Sequence, residues 1–184
     1  MSEIVLGVTG SIAAYKAAEL VRVFVKAGHE VSVVMTAGAT KFVTPLTFQT
    51  LSRRPVTTGL IEPDVVWEPN HISLAQRANV LVVAPCTANV IAKLAVGIAD
   101  DALTATALAC RAPLVVAPAM NDAMFEHPAT QANIATLRSR GATIVEPASG
   151  ELACGTTGKG RLAAIEDIAK AVLEVLAKTG DTTQ

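Results

Sequence analysis

The first thirty residues limit the possible folds most. Glu3-Ile-Val-Leu-Gly-Val8 is a short apolar run rich in β-branched residues, which predicts a buried strand. Thr9-Gly-Ser11 supplies a turn with hydroxyls, and Ile12 to Ala27 carries apolar residues at helical spacing up to Gly28, a natural helix stop. A strand, a glycine turn and a helix in this order leave backbone N–H groups at the helix start. The helix dipole adds to them, so the turn can hold an anion such as phosphate. The spacing Gly7-x-x-Gly10-Ser11 is not the dinucleotide pattern of three glycines, and the next predicted strand, Glu30 to Met35, ends at Thr36-Ala-Gly38. A dinucleotide site calls for Asp or Glu there, to bind the ribose hydroxyl. Thr36 offers a hydroxyl instead, which suits phosphate and favours a mononucleotide over NAD. A plain strand-to-helix turn without ligand accounts for the same residues.

The unit recurs along the chain. Val80 to Ala84 predicts a buried strand stopping at Pro85, and Cys86-Thr-Ala-Asn89 leads into a helix over Val90 to Val96 that ends at Gly97. Thr87 and Asn89 can hydrogen-bond a ring edge or a phosphate, although simple N-capping fits Thr87 well. Pro113 to Ala117 is another buried strand, followed by Pro118-Ala-Met-Asn121, which again brings an amide to the strand's end. Between these units, Ala39 to Arg53 reads as two short helices broken at Thr44-Pro45. Pro55 to Pro69 reads as a loop with room for a short strand, and Trp67 within it either packs in the core or covers a ligand.

Asn70 is the expected cap of a helix over Ile72 to Arg77. His71 at its start can reach a ligand or simply face solvent. Asp100 or Asp101 caps a helix of small residues running to Cys110, suited to the core or to a subunit contact. Ala129 to Arg140 predicts a helix stopped by Gly141, Ala142 to Val145 a last strand, and Ile165 to Lys178 a closing helix, with the final six residues unstructured. Strands alternating with helices predict one α/β domain over residues 1–178, three-layered and Rossmann-like, with a mainly parallel sheet. In such sheets ligands sit at the carboxyl ends of the strands, where the strand order reverses.

Composition narrows the function. A chain of 184 residues with 51% hydrophobic residues can bury a sizeable core. A net charge of −1 gives no electrostatic case for nucleic acid, and six aromatic residues offer little stacking surface. No apolar run is long enough to span a bilayer and the start lacks a basic leader, so a cytoplasmic protein is expected. Cys86, Cys110 and Cys154 are odd in number and match no metal pattern, which fits reduced thiols and no metal site. Gly150, Gly155, Gly158 and Gly160 crowd the stretch that also holds Cys154, Lys159 and Arg161. This predicts a mobile flap carrying one thiol and two cations; a flexible surface loop is the plainer reading.

Several of these segments together resemble the flavin-containing cysteine decarboxylases, most closely the branch acting on 4′-phosphopantothenoylcysteine. They are Gly7-Val-Thr-Gly-Ser-Ile-Ala-Ala14, Asn70-His71-Ile72, Ala84-Pro-Cys-Thr-Ala-Asn89 through Lys93, Ala99-Asp-Asp-Ala-Leu103, Pro118-Ala-Met-Asn-Asp-Ala-Met124, and Leu152-Ala-Cys-Gly155 through Arg161. Two departures are Phe125, where the family often has Trp, and Cys86, where a small residue is usual. The resemblance implies a flavoprotein fold and FMN held by Gly10, Ser11, Ile12, Thr36, Thr87, Ala88, Asn89 and Ala119. It also implies substrate contacts from Met120, Asn121, Lys159 and Arg161. The implied chemistry is oxidation of the cysteinyl thiol by the flavin, loss of CO2 from the thioaldehyde, and return of the electrons to the enethiol. In it His71 is the base for the thiol, Asn121 holds the carboxylate without adding positive charge, and Cys154 protonates carbon. A homotrimer or dodecamer is implied, with FMN near a subunit boundary. The preceding synthetase, often fused in bacteria, is expected on a separate polypeptide. Two other readings remain open: a peptidyl-cysteine decarboxylase that stops at the enethiol, and a flavin-binding regulatory subunit without turnover. The Leu-Ala-Cys-Gly flap argues against the first, and His71 together with Cys154 against the second.

Overall fold

The computed structural model describes residues 1–60, 70–151, 155 and 157–180. Its centre is a six-stranded sheet in the order β3-β2-β1-β4-β5-β6, with every pairing parallel. The strands are β1 (Glu3–Val8), β2 (Glu30–Met35), β3 (Val56–Thr57), β4 (Val80–Cys86), β5 (Leu114–Pro118) and β6 (Thr143–Ile144). Order reverses between β1 and β4, so a crevice opens there at the carboxyl ends of the strands.

Every residue of β1 is buried, as a strand covered on both faces requires. Ile4, Leu6 and Val8 point to one face and pack with α1 (Ala17–Lys26), α2 (Pro45–Ser52) and the closing helix Ile165–Gly180. Val5 points to the other, towards α3 (Asn70–Arg77), α4 (Ala88–Val96), α5 (Ala102–Ala109) and the helix Pro128–Ser139. The three layers predicted from alternating strands and helices are therefore present. Gly7 has a role the sequence did not suggest. It lies inside β1, and a Cβ there would come within 2.4 Å of Leu103 Cδ1 on α5. Its missing side chain admits a neighbouring helix, and Gly10 is the glycine of the turn.

Of the expected caps, Thr87 and Asp101 take their places at α4 and α5. Ser11 Oγ accepts from the Ala13 amide and opens a 3₁₀ turn, Ile12–Lys16, that runs on into α1. Asp101 and Thr104 form a reciprocal capping box at α5. Gly97 and Gly141 follow α4 and the 128–139 helix with positive φ, as helix-stopping glycines do.

Other boundaries differ from the expectations. Strand β4 passes through Pro85 to Cys86, with a register shift against β5 between Val83 and Cys86. Asn70 is the first residue of α3 and not its cap. A short helix, α6 (Asp122–Glu126), fills the stretch before His127; α7 is then Pro128–Ser139, with His127 Nδ1 accepting from the Ala129 amide. The closing helix, α8 (Ile165–Gly180), extends past Lys178 into the segment expected to be unstructured.

The described part of the glycine-rich stretch has regular structure. It forms an antiparallel pair, β7 (Ala148–Glu151) with β8 (Thr157–Arg161). Gly158 and Gly160 lie two apart on β8 and so share a face. A Cβ on Gly160 would sit 2.3 Å from the Met120 carbonyl oxygen, and one on Gly158 would sit 2.5 Å from the Asp122 side chain. The Met120 amide donates to the Gly160 carbonyl at 2.9 Å. These two glycines serve close approach, so β8 docks on the turn after β5, while residues 152–154 and 156, which carry the expected thiol flap, lie outside the described residues.

The opposite edge of the sheet is closed by charge. Arg54 Nη1 donates to both oxygens of the buried Glu3 carboxylate, at 2.9 and 2.7 Å, and Ser32 Oγ donates to the same carboxylate.

Candidate active site

At the carboxyl edge, a cavity of about 240 Å³ is lined by Ser11, Ile12 and Ala13 from the first turn, Ala119, Met120 and Asn121 from the turn after β5, and Glu151, Gly160, Arg161 and Leu162 from the hairpin side. Of the residues singled out from the sequence, Ser11, Ile12, Ala119, Met120, Asn121 and Arg161 meet here. The wall is mostly apolar, and Ile12 keeps 57% of its surface exposed.

Gly10, Thr36, Thr87, Ala88 and Asn89 stand at the same edge of the sheet and do not line this cavity. Thr36 follows β2, is buried, and accepts from the Ala39 amide through Oγ1 at 3.2 Å. Gly10 packs backbone to backbone against Gly38, with only 3.0 Å from a Cβ at Gly10 to the Gly38 Cα. Thr87 caps α4, its Oγ1 accepting from the Val90 amide, and Ala88 and Asn89 form the first turn of that helix. The turns after β1, β2, β4 and β5 thus share one edge of the sheet.

Asn121 is the N-cap of α6. Its Oδ1 accepts from the amides of Ala123 at 3.0 Å and Met124 at 3.4 Å, which fixes the side chain's orientation at the cavity wall. His71 sits in the first turn of α3, and its Nδ1 is buried with no hydrogen-bond partner among the described residues. His71 is not part of the cavity lining.

Lys159 is engaged on the outer side of the hairpin. Its Nζ lies 2.7 Å from Glu146 Oε2 and 5.3 Å from the centre of the Phe125 ring. Arg138 pairs with the same carboxylate, and the Lys159 hydrogen bond above all holds the Glu146 carboxyl below the usual range. Arg161 is therefore the cation that reaches the cavity. Burial pushes the Cys86 thiol well above the ordinary thiol value, so it remains protonated and inert. Trp67 and Cys154 lie outside the described residues.

Sequence reasoning missed Ala13, Glu151, Gly160 and Leu162 as wall residues, and it missed what Thr9 does outside the wall. The Thr9 hydroxyl donates to the Pro85 carbonyl at 2.7 Å and accepts from the Thr87 amide at 3.1 Å. The pair Gly158-x-Gly160 was a usable signal, since two glycines on one strand face imply something pressed against it. Thr9 was legible only as one of the turn's hydroxyls, and nothing local marked its distant partners. Among the described residues no group of His, Cys, Asp and Glu is arranged to hold a metal ion, and no helix is long and apolar enough to cross a membrane.

Comparison with known proteins agrees with this architecture. A coenzyme A biosynthesis bifunctional protein, CoaBC, from Bacillus subtilis (strain 168) is 51% identical over 170 residues, which cover 91% of this chain and 41% of the relative. The counterpart from Vibrio vulnificus (strain YJ016) is 49% identical over 160 residues, covering 87% of this chain and 40% of the relative. The chain thus spans about 40% of the length of these curated relatives. Among solved structures, a cysteine-to-serine mutant of PPC decarboxylase complexed with pantothenoylaminoethenethiol superposes with a TM-score of 0.82 at 31% identity, covering 94% of this chain and 97% of that one. The family model described as Flavoprotein matches residues 1–177. The chain belongs to the flavoprotein family.

Proposed function

We propose that this chain is an FMN-dependent decarboxylase that converts 4′-phosphopantothenoylcysteine into 4′-phosphopantetheine in coenzyme A biosynthesis. The observation that carries the reading is the cavity at the carboxyl edge, where the first turn, the Ala119-Met120-Asn121 turn and Arg161 face one another. The residues present suit FMN. Ser11 and the helix start behind it offer polar groups to a phosphate, and Ile12, Ala119 and Met120 offer apolar surface to a ring. Gly10, Thr36, Thr87, Ala88 and Asn89 would complete the cofactor's surroundings from the adjoining turns. At about 240 Å³ the cavity is smaller than the roughly 300–1,000 Å³ usual for ligand pockets, in keeping with FMN at a boundary between subunits of a homotrimer or dodecamer.

A carboxylate on saturated carbon has no electron sink, and bound flavin supplies one by accepting two electrons from the cysteinyl thiol and its carbon, to be returned after CO2 has left. The protein's part is to bind and to handle protons. Asn121, held rigid by its capping bonds, orients the substrate carboxylate while remaining neutral, which does not oppose CO2 loss. Arg161 offers a guanidinium to the substrate's anionic end, and Met120 packs against its body. His71 takes the thiol proton through a ring nitrogen, and Cys154 delivers a proton to carbon.

Incubation of flavin-loaded protein with 4′-phosphopantothenoylcysteine should release CO2 and 4′-phosphopantetheine. No turnover by that sample overturns the proposal. The alternative is a peptidyl-cysteine decarboxylase that stops at the enethiol; an FMN-dependent cysteine decarboxylase, SpaF, superposes with a TM-score of 0.81 at 34% identity, covering 95% of this chain and 97% of that one, and is compatible with either reading. A peptide ending in cysteine distinguishes the two, since only a peptidyl-cysteine decarboxylase would turn it over. The Cys154→Ser protein should still release CO2 from 4′-phosphopantothenoylcysteine yet yield no saturated thiol; equal product from variant and parent would remove Cys154 from its role.

A further inference from the structure

We infer that Thr9 is a positioning residue for the flavin, acting as a clasp that holds two of the turns around the cofactor in fixed relation before it binds. This rests on the functional reading above. Thr9 follows β1 and is 1% exposed. Its hydroxyl is used as donor and acceptor together, towards the Pro85 carbonyl at 2.7 Å and from the Thr87 amide at 3.1 Å. Both partners belong to the end of β4 and the start of α4, 76 and 78 residues further along the chain. The same turn is pinned on its other side, where Gly10 and Gly38 meet backbone to backbone. The segment that presents Ser11 and Ile12 is therefore gripped by both neighbouring strands' turns, and Thr9 is the side chain that makes the grip on the Thr87-Ala88-Asn89 side.

A hydroxyl is required because one atom must both give and receive a hydrogen bond. An isosteric methyl would leave a buried carbonyl and a buried amide unpaired, and the two turns would separate to reach water. Binding would then have to restore their relative position, and affinity would fall by the cost of that ordering. Serine keeps the hydroxyl and loses only a methyl group.

The test compares the purified parent with Thr9→Val, Thr9→Ser, Thr9→Ala and Ser32→Ala, titrated with FMN and followed by quenching of flavin fluorescence, well below each protein's melting temperature. The last variant loses a buried hydroxyl at the opposite edge of the sheet. Thr9→Val and Thr9→Ala should weaken FMN binding about tenfold, the scale of one buried pairing lost, while Thr9→Ser and Ser32→Ala bind like the parent. FMN bound equally well by Thr9→Val or Thr9→Ala and the parent would overturn the role of Thr9. Equal weakening in Ser32→Ala would also overturn it, by showing that loss of stability alone is enough. Should Thr9→Val not fold, Thr9→Ala against Thr9→Ser decides the matter. A parent that binds no FMN would sink the functional reading itself, a result distinct from the others.

Discussion

Asn121 shows how one side chain can serve the fold and the site together. Its Oδ1 caps α6 through two backbone amides, and that same anchoring sets where its amide group stands on the cavity wall. The two roles separate by mutation. Asn121→Asp retains a capping oxygen and adds negative charge at a helix start, where charge of that sign is favourable. Its thermal stability should match the parent's, while decarboxylation is lost because a carboxylate now faces the substrate's carboxylate. Asn121→Ala should lose both, with about 1 kcal/mol of stability going with the cap. Equal activity of parent and Asn121→Asp would remove Asn121 from the site.

At the scale of elements, glycines at close approaches determine which pieces meet. Strand β1 can lie under α5 only because Gly7 leaves space for Leu103. Gly7→Ala should therefore destabilise the protein by about 1–3 kcal/mol, the usual cost of overpacking, read as a lowered denaturation midpoint. The β7–β8 hairpin depends on Gly160 in a similar way, but there the obstacle is the Met120 backbone carbonyl, which cannot rotate aside. Gly160→Ala should lift the hairpin from the Met120 turn and lower kcat/KM by about tenfold or more through misplacement of Arg161, with little change in melting temperature. An unaltered kcat/KM would show that this docking has no part in catalysis. The glycine content of the stretch suggested mobility, and for Gly158 and Gly160 it has a second reason, since both let strand and turn touch.

Across the whole molecule, the core couples stability to alkaline pH through Cys86. Burial holds this thiol protonated in the folded protein well above its ordinary range. A group whose folded value is raised contributes its full stability below the unfolded value, about 8.5 for a thiol, and loses it as pH rises further and the unfolded chain ionises. Stability should thus fall by up to about 1.4 kcal/mol per pH unit above pH 8.5 from this one group. Denaturation midpoints of the parent and Cys86→Ala at pH 8 and pH 10 would check it; the variant should show the smaller decline, and equal declines would contradict the assignment.

The sequence by itself determined the local pieces. Strand and helix periodicity, the caps at Thr87 and Asp101, and the stops at Gly97 and Gly141 could all be read, because each depends on residues within one turn of one another. The joint order of short motifs also pointed to the right family. Tertiary structure alone decided how those pieces meet: Thr9 bridging to Pro85 and Thr87, Gly7 beneath Leu103, Lys159 drawn away to Glu146, and His71 set apart from the cavity lining. Such contacts join residues tens of positions apart, and their energies depend on complementary shape and on pairing of buried polar atoms. Neither leaves a periodic trace in the chain.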